Sequence, residues 1–252
     1  MRSFVRSTGG LIVVLALLIL GVWTAITASG MVSPFNLPGP AVVGSEFVAV
    51  MGESSTYSNV LVTLFELFVA FGAAALAGVA TGLAVGASRL LREAYEPLLS
   101  NLNSIPFIVL YPVITLTLGI GVESKMVFAF LCAYFPIAIG ATTAVAGVDP
   151  TLVAAGRAMG ARGLTLARKV RFPAVKEKLV GSLRMGLTIA LIAVIGAEYI
   201  AGSQGLGYMI ASSGQMFDMP RVIAYVLVTL VVAFVLDWAG RLAGGKKVVS
   251  NV

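Results

Sequence analysis

The stretch DPTLVAAGRAMGARGLTLARKVRFPAVKEK, Asp149 to Lys178, is the long polar interval of an otherwise apolar chain, and its reading decides the fold. It carries Arg157, Arg162, Arg168, Lys169, Arg171, Lys176 and Lys178 against only Asp149 and Glu177. A basic loop between long apolar segments stays on the cytoplasmic side of a membrane. Within it Leu152, Val153, Ala155, Ala158 and Met159 recur at roughly helical spacing, and Gly160 interrupts them. A second run, Leu164 to Val170, is expected to end before Pro173. The loop therefore predicts two short helices offered to a partner in the cytosol.

Outward from the loop, the composition leaves little room for a soluble domain. Hydrophobic residues make up 59% of the 252 and charged ones 11%, with a mean hydropathy of +1.01. These values belong to polytopic helical membrane proteins. The net charge of +6 sits at the ends of apolar runs, where it orients spans and meets lipid, so nucleic acid is not an expected partner. His is absent and Cys132 is the single cysteine, which removes internal disulfides, Cys/His zinc sites and Ser-His or Cys-His dyads. No catalytic residue and no metal ligand set is predicted.

The apolar runs predict six spans. Span one, about Gly10 to Ala28, follows Arg2 and Arg6 and is read as a retained span rather than a cleaved signal. Ser29 to Tyr57, with Pro34, Pro38, Pro40, Glu46 and Glu53 and no Lys or Arg, is placed outside. Span two, about Asn59 to Ala87, returns to Arg89 and Arg92. Along it Ala70, Ala74, Gly78, Gly82 and Gly86 form a small-residue stripe suited to close helix approach, either within the chain or toward a second subunit. Span three, about Tyr95 to Gly119, is interrupted by Pro97, Pro106 and Pro112; freed carbonyls at that depth require protein or a water-filled cavity, so this span is a candidate pathway lining.

Gly119 to Lys125 is read as an outer turn, and span four, about Met126 to Val148, carries Pro136 into the basic loop. Span five, about Leu179 to Ile200, holds Arg184 and Glu198; Ala201 to Arg221 is Gly- and Ser-rich and too polar to span; span six is about Val222 to Leu242. Both termini are predicted cytoplasmic, and only Lys125 and Arg221 among the basic residues fall outside.

Energy supply narrows the function. GRLAGGKK, Gly240 to Lys247, has phosphate-loop spacing until Lys247 stands where Ser or Thr would ligate Mg²⁺, and it follows a membrane helix rather than a strand. Any ATP is therefore expected on a separate protein. Glu66, well inside span two, is a costly intramembrane carboxylate: it is a functional residue, or it is the structural partner of an Arg or a backbone group on a neighbouring helix. Glu66 also defines the alternative reading, an ion-coupled secondary transporter, although the inverted repeat that class favours is not found.

AAGRAMG at Ala154 to Gly160, with Pro173 following in VRFPA, resembles the cytoplasmic "EAA" loop of permease subunits of binding-protein-dependent ABC importers. Gly160, Pro173 and Ala155 match; Ala154 stands where the family carries Glu, and Gly156 where it carries Ala. SIPFIVLYP (Ser104 to Pro112), LGIGVESK (Leu118 to Lys125), SLRMGL (Ser182 to Leu187) and AEYIAGSQGLGYMI (Ala197 to Ile210) resemble the branch importing taurine, aliphatic sulfonates, nitrate or thiamine precursors. Glu66 stands where that branch often carries Arg.

The resemblance implies an all-α fold like that of methionine-importer permeases, a single permease domain over residues 1–252 with its core at 58–243 and a coupling loop at 149–178. It implies a multi-pass protein of the bacterial inner membrane that is not itself an enzyme and needs no cofactor, since ATP and Mg²⁺ would sit on a partner ATPase. The implied partners are that ATPase, a second permease subunit forming a homodimer, a solute-binding protein and the bilayer. ATPase coupling would fall to Ala154, Ala155, Gly156, Arg157, Gly160, Ala161 and Pro173. Contact with a small polar solute would fall to Glu66, Asn103, Ser104, Tyr111, Glu198 and Tyr199.

Overall fold

The computed structural model describes residues 8–243, so Arg2, Arg6, Lys246 and Lys247 lie outside the described residues. The chain is helical throughout, and no strand occurs among the described residues. In order, the helices are α1 (Thr8–Ala28), α2 (Pro40–Met51), α3 (Ser54–Ala87), α4 (Arg89–Asn103), a 3₁₀ turn (Phe107–Leu110) and α5 (Tyr111–Leu118). There follow α6 (Val122–Ala146), α7 (Pro150–Ala158), α8 (Gly163–Leu166), a π turn (Ala167–Arg171), α9 (Phe172–Ala201), α10 (Leu206–Gln215) and α11 (Met219–Ala243). Five apolar stretches are long enough to span a membrane, and six if the bent pair 89–103 and 107–118 counts as one. That pair turns by 72° at Ser104–Pro106. Pro106 lacks an amide hydrogen and disfavours helix at the residue before it, so the break falls where the sequence puts it.

The core is a tight pairing of α3 with α6, joined on the other side by α9. The small-residue stripe makes this pairing. A Cβ added at Gly82 would stand 2.7 Å from the Ala138 carbonyl oxygen and 2.9 Å from the Thr142 nitrogen, and one at Gly86 would stand 2.7 Å from the Thr142 carbonyl oxygen. The two backbones approach closer than any larger residue permits. The stripe is thus filled from within the chain, the first of the two uses expected of it, and does not offer its face to a second subunit. Across the other interface Leu67, Ala74, Ala133, Ile137, Ala190 and Val194 interlock, all fully buried. Pro136 lies inside α6, which continues as one helix through it.

Two outer helices emerge from stretches that the sequence suggests are irregular. α2 starts at Pro40, where a proline in the first turn sacrifices no helical hydrogen bond, and buries Val43 and Val50. It is held to α11 by Arg221, which pairs with Glu53 at 2.5 Å and Glu46 at 3.7 Å and lies 5.7 Å from the centre of the Tyr225 ring. α1 stands apart from the core, touching the outer segment through Trp23 Nε1, which donates to the Pro38 carbonyl at 3.1 Å. At the opposite end Asp237 joins α9 to α11 by accepting from Arg184 at 2.7 Å and Arg241 at 2.8 Å.

Two further readings change. Lys125, counted as an outside cation, is only 4% exposed and points into the protein from the first turn of α6. The second helical run of the loop does not end before Pro173. It passes through the π turn into α9, with Pro173 in the first turn of that helix. A wider i→i+5 turn there eases the clash that a proline ring makes with the preceding carbonyls.

Candidate functional site

The first site is the basic loop between α6 and α9. Asp149 caps α7 by accepting from the Thr151 amide at 2.8 Å, Pro150 takes the first helical position, and hydrogen bonding by the Thr151 side chain and amide holds the Asp149 carboxyl below the usual carboxylate range. At the other end Gly160, at φ +81°, closes the helix: its amide donates to the Arg157 carbonyl and the Ala161 amide to the Gly156 carbonyl, each at 2.9 Å. This is the Schellman arrangement, which needs a left-handed residue after the last helical one. Gly160 is therefore a stop behind the helix rather than part of it.

Of the seven residues assigned to coupling, Ala154, Ala155, Arg157, Gly160 and Pro173 are exposed, Ala161 is half-buried and Gly156 is buried. A Cβ at Gly156 would stand 2.8 Å from Val170 Cγ2 and 3.0 Å from Leu166 Cδ1, so glycine lets α7 settle onto the π turn and α8. Beside Gly156, Leu152 and Met159 are 50% and 80% exposed, and with Ala155 they occupy i, i+3 and i+7 of one helical face. This is an exposed apolar face on a loop that also carries exposed Arg157 and Arg162, the kind of surface suited to docking.

The second site lies inside the helical core. Glu66 on α3 and Glu198 on α9 are both 0% exposed. The Lys125 ammonium forms an ion pair with Glu66. Glu198 Oε1 accepts from the Thr63 hydroxyl at 2.7 Å, and Glu198 Oε2 accepts from the Gly207 amide at 2.8 Å, at the N-terminus of α10. The Thr63 hydroxyl in turn accepts from the Leu206 amide at 2.9 Å, and Asn59 Oδ1 accepts from the Gly205 amide at 2.6 Å. An ammonium thus faces Glu66 and amides at the positive end of a helix face Glu198, and the two carboxyls also interact with each other, so the four groups form one buried cluster. Gly205 turns the chain at φ +104°, and a Cβ at Gly207 would stand 2.7 Å from Glu198 Cβ.

Among the remaining residues assigned to solute contact, Tyr111 is buried with its hydroxyl donating to the Ala197 carbonyl at 3.2 Å, and Asn103, Ser104 and Tyr199 are exposed. A groove of about 510 Å³ opens at the break of the bent span, lined by Asn103, Phe107, Phe128, Cys132, Met185 and Ile192 among others. Asn103 is the member of the six that lines it. Lys125, Asn59 and Thr63 are the polar residues of the buried site that the sequence reading left out. One signal was available for Lys125, because an intramembrane carboxylate needs a cation and this lysine begins the next apolar run but one.

Known proteins agree with this architecture. The chain is 27% identical over 241 residues to the taurine transport system permease protein TauC of Escherichia coli (strain K12), covering 94% of this chain and 86% of that protein. It is 30% identical over 213 residues to the riboflavin transport system permease protein RibX of Chloroflexus aurantiacus, covering 84% and 79%. In fold it matches the MetNI methionine ABC transporter in an inward-facing conformation, with a TM-score of 0.65 at 22% identity over 74% of this chain and 93% of that one. Residues 74–246 match the family of binding-protein-dependent transport system inner membrane components. The chain belongs to that family: it is a multi-pass inner-membrane permease subunit of an ATP-driven ABC importer, whose ATP is hydrolysed on a separate subunit.

Proposed function

We propose that two copies of this chain form the path for a small polar solute handed over by a solute-binding protein, and that each copy docks on its ATPase through the Leu152, Ala155 and Met159 face of α7. The observation that carries this is the exposed apolar face itself, raised on a capped helix between the two spans it joins. The basic residues of the loop and the Arg184, Asp237 and Arg241 cluster share the end of the molecule assigned to the cytosol, where both termini also belong. The groove at the Asn103 to Phe107 break is the portion of the path contributed by one copy. ATP and Mg²⁺ stay on the partner, and this chain needs no cofactor. The relatives named for taurine and riboflavin support a small polar cargo.

Glu66 tells against the ion-coupled alternative, because a coupling carboxylate must meet water during the cycle and this one is enclosed with Lys125. The test is recovery of partners from native membranes with the tagged chain. The unaltered chain is expected to bring an ATPase subunit and a binding protein. Leu152→Glu with Met159→Glu is expected to lose the ATPase while remaining membrane-inserted and monodisperse. Retention of the ATPase by that double variant would overturn the assignment of the docking face.

A further inference from the structure

α9 is one unbroken helix of 30 residues, about 45 Å long at 1.5 Å per residue. One end emerges directly from the coupling loop and the other carries Glu198. Past Glu198 the chain turns at Gly202, whose amide donates to the Glu198 carbonyl at 2.8 Å, and returns as α10 with the Gly207 amide on the Glu198 carboxylate. The side chain therefore holds a helix that starts several residues beyond its own. The Thr63 hydroxyl between Glu198 and the Leu206 amide fastens the same point to α3.

We propose that Glu198 is a positioning residue of the transport cycle, fastening the outer helix α10 to the far end of α9 so that displacement of the coupling loop reaches the outer face of the permease. The inference rests on the importer reading. A helix resists stretching and bending far better than a loop, so α9 delivers motion to Glu198 with little loss. Between Ala201 and Leu206 the chain alone would not deliver it further, because those residues are turns and bends. The bonds from Glu198 and Thr63 bridge that gap. The helix N-terminus compensates the carboxylate, which makes the junction a closed polar unit inside apolar surroundings. Gly207 is small because α10 must start against the body of α9 for the bond to form.

The experiment uses the whole complex recovered from native membranes, reconstituted in lipid nanodiscs. ATP hydrolysis is measured alone and with increasing amounts of the recovered binding protein. Glu198→Ala is expected to keep the basal rate of the assembled complex, with a lowered thermal midpoint, while losing about tenfold in stimulation by the binding protein. Glu198→Gln is expected to retain most of the stimulation, since its carbonyl still accepts from Gly207 and its amide donates to Thr63. Should the alanine variant fail to assemble, Thr63→Val removes one hydroxyl from the same junction and is expected to lose stimulation in the same direction. Full stimulation in whichever variant assembles overturns the proposal, and so does a parallel fall of basal rate, stimulation and thermal midpoint, which marks a purely structural role. Failure of the importer reading is separate: the unaltered chain would then bring down no ATPase.

Discussion

The basic loop and the buried charged junction are opposite ways of building a site. In the loop, everything that matters lies within a few residues: a cap at Asp149, an apolar face from Leu152 to Met159 and a stop at Gly160. In the junction, Asn59, Thr63, Glu66, Lys125, Glu198 and Gly207 come from four helices and meet only after the core has packed. The loop tolerates water and shows its charges to it. The junction excludes water and must balance each charge internally. The lesson is that polar residues of one membrane protein follow two energetic regimes: in the loop single changes have local costs, and in the junction they do not.

The largest expected effect is therefore at Lys125. Lys125→Met leaves Glu66 buried without its cation and is expected to cost about 3–5 kcal/mol, read as a lowered thermal midpoint in detergent. Glu66→Leu combined with Lys125→Met is expected to recover most of that loss. A Lys125→Met protein as stable as the unaltered one would break the contrast between the regions.

Packing comes next. Gly82→Val drives a side chain into the Ala138 carbonyl and Thr142 nitrogen, and an expected loss of about 1–3 kcal/mol is checked by the same unfolding measurement. Gly160→Ala sharpens the contrast from the other side. It places a Cβ on a backbone at φ +81°, costs about 1 kcal/mol, and is expected to speed amide exchange in α7 alone. Spread of that change into α3 or α6 would contradict a local site.

The smallest effect is acid sensitivity of the same helix. The Asp149 carboxyl is held below its ordinary range by Thr151, so its cap is fully present above that range and is lost as pH falls through the depressed value. Amide exchange at the α7 N-terminus is expected to quicken only there, and Asp149→Asn is expected to remove the pH step.

These contrasts also explain what could be read from the chain alone. Spans one, two, four, five and six were legible because apolar runs bounded by Arg and Lys are one-dimensional signals, and the break at Pro106 because proline acts on its own neighbours. α7 was legible through its period and Gly160. α2 and α10 were not, for different reasons. α2 is short and starts at the last of three prolines that read as punctuation, while α10 contains Gly207, Ser212, Ser213 and Gly214, poor helix formers. Its regularity comes from outside, from the Glu198 carboxylate at its start and from the packing of Leu206 against Val50, Ala224 and Tyr225. Lys125 was not read as the partner of Glu66 because a side chain's direction is set by its helix, and the first turn of α6 aims it inward. Sequence position gives a residue's depth but not its facing.

The π turn at Ala167–Arg171 carries one more consequence. It is a place where the helix holds a residue more than its hydrogen-bonding ring needs, and so it acts as a phase setting between loop and span. Excising one residue there would convert it to ordinary α-helix and swing all that precedes it by about 100° around the axis of α9. The face of Leu152, Ala155 and Met159 would then look in another direction with every one of its atoms intact. The aim of α7 is thus stored in the count of residues behind it, as much as in the residues it presents.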